Sequence, residues 1–291
     1  MPDPGPMPKG VARLAKSALD EDLGTGDVTS FALIDEDARC QAVLRSREEA
    51  VVACVQFARE VFSLLDVDLS FEQVVPDGET VAADGVVARI EGKARGVLAA
   101  ERTALNFVGH YMGIATHTAR FVAAVEGTKA QIYDTRKTTP LMREFEKYAV
   151  RAGGGTNHRM NLADAILIKD NHLAVVGQSP AEAVRRAKSR SRANVEVEVT
   201  TVEQAVAAAR AGADIVMLDN FDPQGAARAV AALRTEYPAG RTGSPEIEIS
   251  GGVTLENVRA YAEAGADRIS TGAITHSAPS VDVTLDVSPA N

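Results

Sequence analysis

The sequence has no tryptophan and only two cysteines, Cys40 and Cys54, in 291 residues. Aromatic residues make up 4% of it. Proteins that bind single-stranded nucleic acid need aromatic stacking platforms, so this composition argues against that class. The two cysteines form neither a C-x-x-C pair nor a zinc spacing. Reduced thiols in a cytoplasmic enzyme are the simplest expectation. There is no excess of positive charge: the formal net charge is -9. Nucleic acid and anionic membrane are therefore poor general partners. The apolar runs fall well short of a bilayer span, which predicts no transmembrane helix. The opening "MPDPGPMPKG" lacks an apolar core and reads as a lead-in, not a signal peptide.

What is present is a normal hydrophobic fraction, 45%, and a repeating rhythm from about residue 125 onward. Six short β-prone runs, "AQIYDTRKTT", "AILIKDNH", "VEVEVT", "DIVMLDN", "EIEISGG" and "DRISTGA", each turn polar or glycine-rich at the C-terminal end. Helical segments separate them. Ser179-Pro180-Ala181-Glu182 predicts a capping box with proline at the first helical position. Thr200 with Glu203 predicts a second box, and Asp222-Pro223 a third helix start. "AARAGADIVM" and "YAEAGADRIS" repeat one αβ unit, with Gly212 and Gly265 stopping the helices.

Strands alternating with helices imply an α/β fold with a parallel sheet, its site at the C-terminal strand ends. A complete eight-stranded barrel takes about 250 residues and only about 150 are available, so the barrel is expected to be incomplete. The first hundred residues read as an α+β domain. In it, "ARCQAVLRSREEAVVACV" and "DGVVARIEGKARGVLAA" are β-prone and "FAREVFSLL" is a short helix. "RTALNFVGHYMGIATHTARFVAAV" is a bridging helix, and the alternating tail "VDVTLDV" returns as a strand. The domains expected are 1–112, joined by 277–291, and 113–276.

The chemistry-bearing residues cluster at these strand ends. The cations are Arg102, Arg136, Lys137, His158, Arg159 and Lys169; the acids are Glu198 and Asp219. Small ends are Ser250-Gly251-Gly252 and Thr271-Gly272-Ala273. Any one of these has an ordinary explanation as a solvated side chain or a helix cap, and His110, His117, His172 and His276 have ordinary structural ones. As a set they are harder to dismiss. Cations converging on one mouth repel one another and lose solvation unless the usual occupant is strongly anionic. The acids suit a divalent cation, sugar hydroxyls or a cationic transition state. The glycines admit close backbone approach to a phosphate. The residues alone thus point to a phosphorylated, polyanionic substrate with Mg²⁺, and do not name the reaction.

The run "VRAGGGTNHR" carries neither a P-loop ending nor dinucleotide glycine spacing. It reads as a helix stop and hinge that delivers His158 and Arg159. The helix before it is expected to pack Leu141, Phe145 and Tyr148 and to expose Arg143, Lys147 and Arg151.

"YDTRKTTP", "EKYAVRAGGGTNHR" and "LADAILIKDNH", with "DEDLGTGDVTS", "AERTALNF", "GIAT", "VEVEVT", "VMLDNF", "EISGGV" and "ISTGAITHSAPSVD", run in order from about residue 20 to 282. In these motifs the sequence resembles the quinolinate phosphoribosyltransferases, the type II phosphoribosyltransferase family. The resemblance implies an α/β sandwich domain plus an incomplete α/β barrel. It implies transfer of phosphoribose from phosphoribosyl pyrophosphate to quinolinate with Mg²⁺, releasing pyrophosphate and CO₂, in NAD synthesis. It implies cytoplasmic homodimers, or larger assemblies such as hexamers, with active sites shared between chains.

By motif, the resemblance assigns Arg102 to the neighbouring chain's quinolinate. It gives Thr135, Arg136, Lys137, His158, Arg159 and Lys169 to quinolinate and phosphate. Glu198 and Asp219 fall to ribose and metal, and Ser250, Gly251, Gly252, Thr271, Gly272, Ala273 and His276 to the phosphoribosyl group. Glu198, Asp219, Lys137 and Lys169 are the catalytic candidates. The sequence departs from the family's usual glycine at Leu141 and at Ala53-Cys54, and from a small polar residue at Met112. A related enzyme acting on nicotinate or another carboxylated heterocycle, an aldolase-like barrel using Lys169 as a Schiff base, and a non-catalytic sensor are the competing readings.

Overall fold

A computed structural model of the protein describes residues 3–290; Met1 and Pro2, which begin the lead-in, and Asn291 lie outside the described residues. The chain divides into two compact units. The first holds the described residues up to Ala119, together with Pro140–Gly154 and the chain from Ser277 onward. The second holds Arg120–Thr139 and Gly155–His276.

In the first unit, helices α1 (Val11–Leu23) and α2 (Val28–Leu33) precede strand β1 (Arg39–Ser46). β2 (Ala50–Val51), α3 (Gln56–Leu65), β3 (Ser70–Gln73), β4 (Thr80–Val81) and β5 (Val86–Lys93) follow. The long α4 (Ala94–Ala124) and α5 (Arg143–Ala152) complete its helices, and the tail returns as β12 (Val283–Pro289). The main sheet is antiparallel in the order β12-β1-β5-β3, with β2 and β4 paired separately. Period-2 alternation explains β1: Cys40, Ala42, Leu44 and Ser46 turn inward. Helical spacing explains α3, which buries Phe57, Ala58, Val61 and Phe62. Phe57 stacks on Phe107 at 4.4 Å and meets the edge of Phe145 at 4.8 Å. Each such ring contributes about 1.5–3 kcal/mol by burial.

The helix before the glycine run departs from its expected pattern. Lys147 is fully buried, not solvated, as is Glu146, whose Oε1 lies 3.2 Å from His110 Nε2. Leu141 is 88% exposed instead of packed. Its φ is 68°, and Cys54 has φ 58°. At both positions the resemblance leads one to expect glycine, and a left-handed backbone is one that glycine adopts without strain.

The second unit is built of β6 (Gln131–Tyr133), β7 (Ile166–Ile168), β8 (Val195–Val199), β9 (Ile215–Asp219), β10 (Glu246–Ser250) and β11 (Arg268–Ser270). They form one parallel sheet in the order β6-β11-β10-β9-β8-β7. This is the six-stranded incomplete form expected. Helices α6 (Asp170–Val176), α7 (Pro180–Arg190), α8 (Val202–Arg210), α9 (Pro223–Glu236), α10 (Val258–Glu263) and α11 (Ala273–His276) follow the strands. Ser179 and Glu182 cap α7 reciprocally, and Asp222 caps α9. The α8 cap sits one residue later than Thr200. Thr201 accepts from the Gln204 N–H, while Gln204 accepts from the Thr200 N–H. Thr200 itself still belongs to the turn leaving β8.

Leu141 supplies a test of the backbone argument. A left-handed Cβ residue costs about 1–2 kcal/mol, and glycine gives back part of that through its freer unfolded chain. Leu141→Gly is expected to raise stability by about 0.5–1 kcal/mol in urea unfolding. Cys54→Gly, which empties a buried site, is expected to show no such gain.

Candidate active site

The site begins with the strand alternation. In the parallel ladder Glu198 pairs with Met217 and Met217 with Glu248; Glu196 pairs with Ile215 and Ile215 with Glu246. Residues in register share a face. Glu196, Glu198, Met217, Asp219, Glu248 and Ser250 therefore turn to one side, and Val195, Val197, Val216, Leu218, Ile247 and Ile249 to the other. The aliphatic side is buried. The other side carries the charge, including the ion pair of Arg268 with Glu246 and the Arg268 guanidinium 4.7 Å above the Tyr133 ring.

At the C-terminal strand ends this face opens into a cavity of about 610 Å³. Thr135, Arg136, Lys137, His158, Arg159, Lys169, Glu198, Asp219, Ser250, Gly251, Gly252, Thr271, Gly272, Ala273 and His276 all line it. Of the residues singled out from sequence, Arg102 is not among them; it is an exposed residue of α4 in the first unit. The lining also includes Leu167, Met217, Asn220, Glu248, Val253, Thr254 and Ser270, which sequence reasoning did not select. The signal that could have found Glu248 was the glutamate alternation of "EIEIS".

The cations crowd one another. Burial and the Arg136 charge lower the proton affinity of Arg159, against the pull of Glu196, Asp164 and Glu198. Lys169 is ion-paired with Glu198. Thr275 Oγ1 donates to the Lys137 carbonyl at 2.7 Å and holds that loop. Asn220, at φ 57°, donates from its side chain to Asp219 Oδ2 at 2.9 Å. A Cβ on Gly251 would meet Asn220 Oδ1 at 2.3 Å, so these two strand ends interlock only with glycine there.

The glycine run ends α5 and brings the chain alongside β6. Gly153 is the C-cap and Gly154 has φ 83°. None of the three glycines lines the cavity. Thr156 then forms a parallel bridge to Tyr133. The buried Asp134 accepts from the His158 N–H at 2.9 Å and from Asn157 Nδ2 at 2.6 Å. His158 Nε2 lies 3.1 Å from Glu196 Oε2 and 3.4 Å from Glu248 Oε1. Burial opposes a charge on His158, while the two carboxylates favour one. Burial likewise raises Glu196. The ring's Nδ1 accepts the Arg159 N–H at 2.9 Å, leaving no room for a proton there.

Glu198 and Asp219 offer hard oxygen donors at neighbouring strand ends. Mg²⁺ typically takes one or two carboxylates plus waters and substrate phosphates, so this pair fits such an ion. His158, Glu196 and Glu248 also place ligand atoms within 4.8 Å of one another. There the imidazole N–H already supplies the positive end.

Family models match in both halves: Quinolinate phosphoribosyl transferase, N-terminal domain, over residues 27–112, and the C-terminal domain over 114–286. A probable nicotinate-nucleotide pyrophosphorylase (carboxylating) of Bacillus subtilis is 41% identical over 93% of this chain and 91% of its own. The nicotinate-nucleotide pyrophosphorylase (carboxylating) of Mycobacterium leprae is 40% identical over 94% and 95%. The solved nicotinate-nucleotide pyrophosphorylase from Francisella tularensis is 40% identical, covers 96% of each chain, and superposes with a TM-score of 0.86. The fold is that of a phosphoribosyl-transferring enzyme. Within that class, the chain belongs to the quinolinate phosphoribosyl transferase family.

Asp134 is the latch of the site. Asp134→Ala leaves the His158 N–H and the Asn157 amide without their buried acceptor, and is expected to cost about 2–4 kcal/mol in urea unfolding. Asp134→Asn, which keeps one acceptor oxygen, is expected to cost less.

Proposed function

We propose that the protein is a quinolinate phosphoribosyltransferase: quinolinate and phosphoribosyl pyrophosphate give nicotinate mononucleotide, pyrophosphate and CO₂, in NAD synthesis. The observation that carries this is the gathering of Arg136, Lys137, Arg159 and Lys169 around one cavity with Glu198 and Asp219, in a chain of this family. Quinolinate brings two carboxylates, and the planar guanidinium is suited to bind each through two hydrogen bonds. Arg136 and Arg159, with Thr135, hold them. Two like-charged reactants are thereby brought into attacking geometry, which supplies much of the rate.

The phosphoribosyl group lies against Ser250, Gly251, Gly252, Thr271, Gly272, Ala273 and His276, where exposed backbone N–H groups meet phosphate oxygens. As the C1–pyrophosphate bond breaks, positive charge grows on the ribose, and Glu198 and Asp219 face that charge. Mg²⁺, held by the same acids and the pyrophosphate, would neutralise the leaving group. The pyridine nitrogen attacks C1 and becomes cationic. The adjacent carboxylate then leaves as CO₂, its electron pair stabilised beside that nitrogen, and Lys137 or Lys169 returns a proton to the ring carbon.

Arg102 is proposed to complete the cavity of a partner subunit in a homodimer. The cytoplasm is the proposed location; no helix among the described residues is long and apolar enough to cross a membrane, and both cysteines are buried free thiols.

Incubation with carboxyl-labelled quinolinate, phosphoribosyl pyrophosphate and Mg²⁺ is expected to release CO₂ and pyrophosphate in equal amounts. Folded protein that releases neither would sink the reading, and equal turnover of nicotinate would favour the related transferase. Glu198→Gln and Asp219→Asn are each expected to lower kcat by about 10²–10³-fold. Separately inactive Arg102→Ala and Arg159→Ala chains, mixed and allowed to exchange, are expected to recover about a quarter of wild-type activity, because half the dimers then hold one intact site. No recovery despite proven exchange would count against the shared site.

A further inference from the structure

Both ring nitrogens of His158 are engaged. Nε2 faces Glu196 and Glu248, and Nδ1 accepts the Arg159 N–H at 2.9 Å. Neither carboxylate touches solvent to any extent: the side chains are 3% and 0% exposed. Among the described residues, neither oxygen of Glu248 has a donor in hydrogen-bond geometry. A buried ion cluster is an expensive way to fill an interior, and apolar replacements of equal volume often stabilise a protein. Stability is therefore a poor reason for two glutamates to stand here.

Their geometry supplies another. Glu196 pins the ring at Nε2, with Glu248 3.4 Å from the same nitrogen, and the other edge of the ring meets the Arg159 backbone N–H. The Arg159 side chain is tied once more, Nη1 donating to the Ala165 carbonyl at 3.1 Å, and it lines the cavity beside Arg136. The Arg136 charge acts on it unfavourably. Arg159 thus relies on contacts of its own, through its backbone N–H and its Nη1, to keep its place beside that charge. We infer that Glu196 and Glu248 are positioning residues for the dicarboxylate: they fix His158, and His158 fixes Arg159 in its ligand-binding position. This rests on the reading of the cavity as a quinolinate site. It also assigns His158 an indirect part in binding, through Arg159.

The test is binding without turnover. Quinolinate is titrated calorimetrically into wild type, Glu248→Gln and the Glu196→Gln/Glu248→Gln double variant, and phosphoribosyl pyrophosphate with Mg²⁺ is titrated in parallel. Quinolinate affinity is expected to fall about 10- to 100-fold, the range seen when groups that orient a ligand are lost. Phosphoribosyl pyrophosphate affinity is expected to stay within about twofold of wild type. If Glu248→Gln does not fold, Glu196→Leu/Glu248→Leu removes both charges together and is expected to show the same selective loss. Unchanged quinolinate affinity in a folded variant would overturn the inference. So would equal loss of both ligands with a lowered Tm, which marks a merely structural role, or a stoichiometric bound metal that Glu248→Gln removes.

A second readout does not depend on the function. Long-range proton–nitrogen spectra, with His158 assigned by comparison with His158→Asn, are expected to show a fixed Nε2–H tautomer in wild type and a mixture in the double variant. A mixture already in wild type would overturn the inference. Failure of wild type to bind quinolinate, with the tautomer fixed, would overturn the functional reading instead.

Discussion

Two carboxylates taken out of water, Glu196 and Glu248, impose the condition on which the rest of the site is built. Each costs several kcal/mol to bury and must be met by positive charge or by a proton. The sheet itself cannot meet it. Its aliphatic face turns away, and Arg268, ion-paired with Glu246, reaches Glu196 only through the field of its charge. The positive end has to come from a segment outside the sheet, and the segment that brings it is Thr156–Arg159. This requirement fixes how the chain must run after α5, and explains why a buried aspartate at the end of β6 grips that segment by both a backbone and a side-chain donor.

The glycine run acquires its meaning from the same condition. After Ala152 the chain must stop being helical, pass a left-handed residue at Gly154 and add a rung beside Tyr133 within a few residues. Gly153 packs so closely that a Cβ there would sit 2.2 Å from the Ala115 carbonyl oxygen. The glycines act on backbone shape, and the charges they deliver act on the ligand. A phosphate-cradle pattern and a delivery pattern look alike in sequence, because both place glycines before cations. They differ in what the freed backbone amides reach.

Much of the architecture was legible because local signals agreed with the global fold. The six polar-ended runs became six parallel strands, and the Ser179 and Asp222 caps opened the helices they announced. The misreadings came where tertiary contacts override local pattern. Lys147 stands on a stripe of basic residues that reads as solvated, yet it is fully buried in the first unit beside Glu146. The Thr200 box slipped by one residue because two threonines adjoin and only the end of β8 decides which is the cap. The strand-end cations and acids were recoverable because chemistry concentrates at those ends. Glu196, Glu248 and Asp134 were not, since a buried glutamate in an alternating strand and a buried aspartate before a turn have the same local sequence as solvated ones.

The inner face is graded in charge along the strands. At its N-terminal level Arg268 answers Glu246; midway the imidazole Nε2 answers Glu196, with Glu248 3.4 Å from the same nitrogen. At the mouth Lys169 has Glu198, and Arg136, Lys137 and Arg159 line the same cavity as Glu198, Asp219 and Glu248. In a protein of net charge -9, such a positive mouth is a local construction. The layers below are buried and paired, so they form a fixed base for the cations at the mouth. An anion entering that mouth meets dipoles and charges already oriented, and little reorganisation remains to be done as charge develops during reaction. The polar interior that makes this sheet unlike an ordinary aliphatic barrel core is, on this argument, the foundation of the anion site rather than a cost imposed by it.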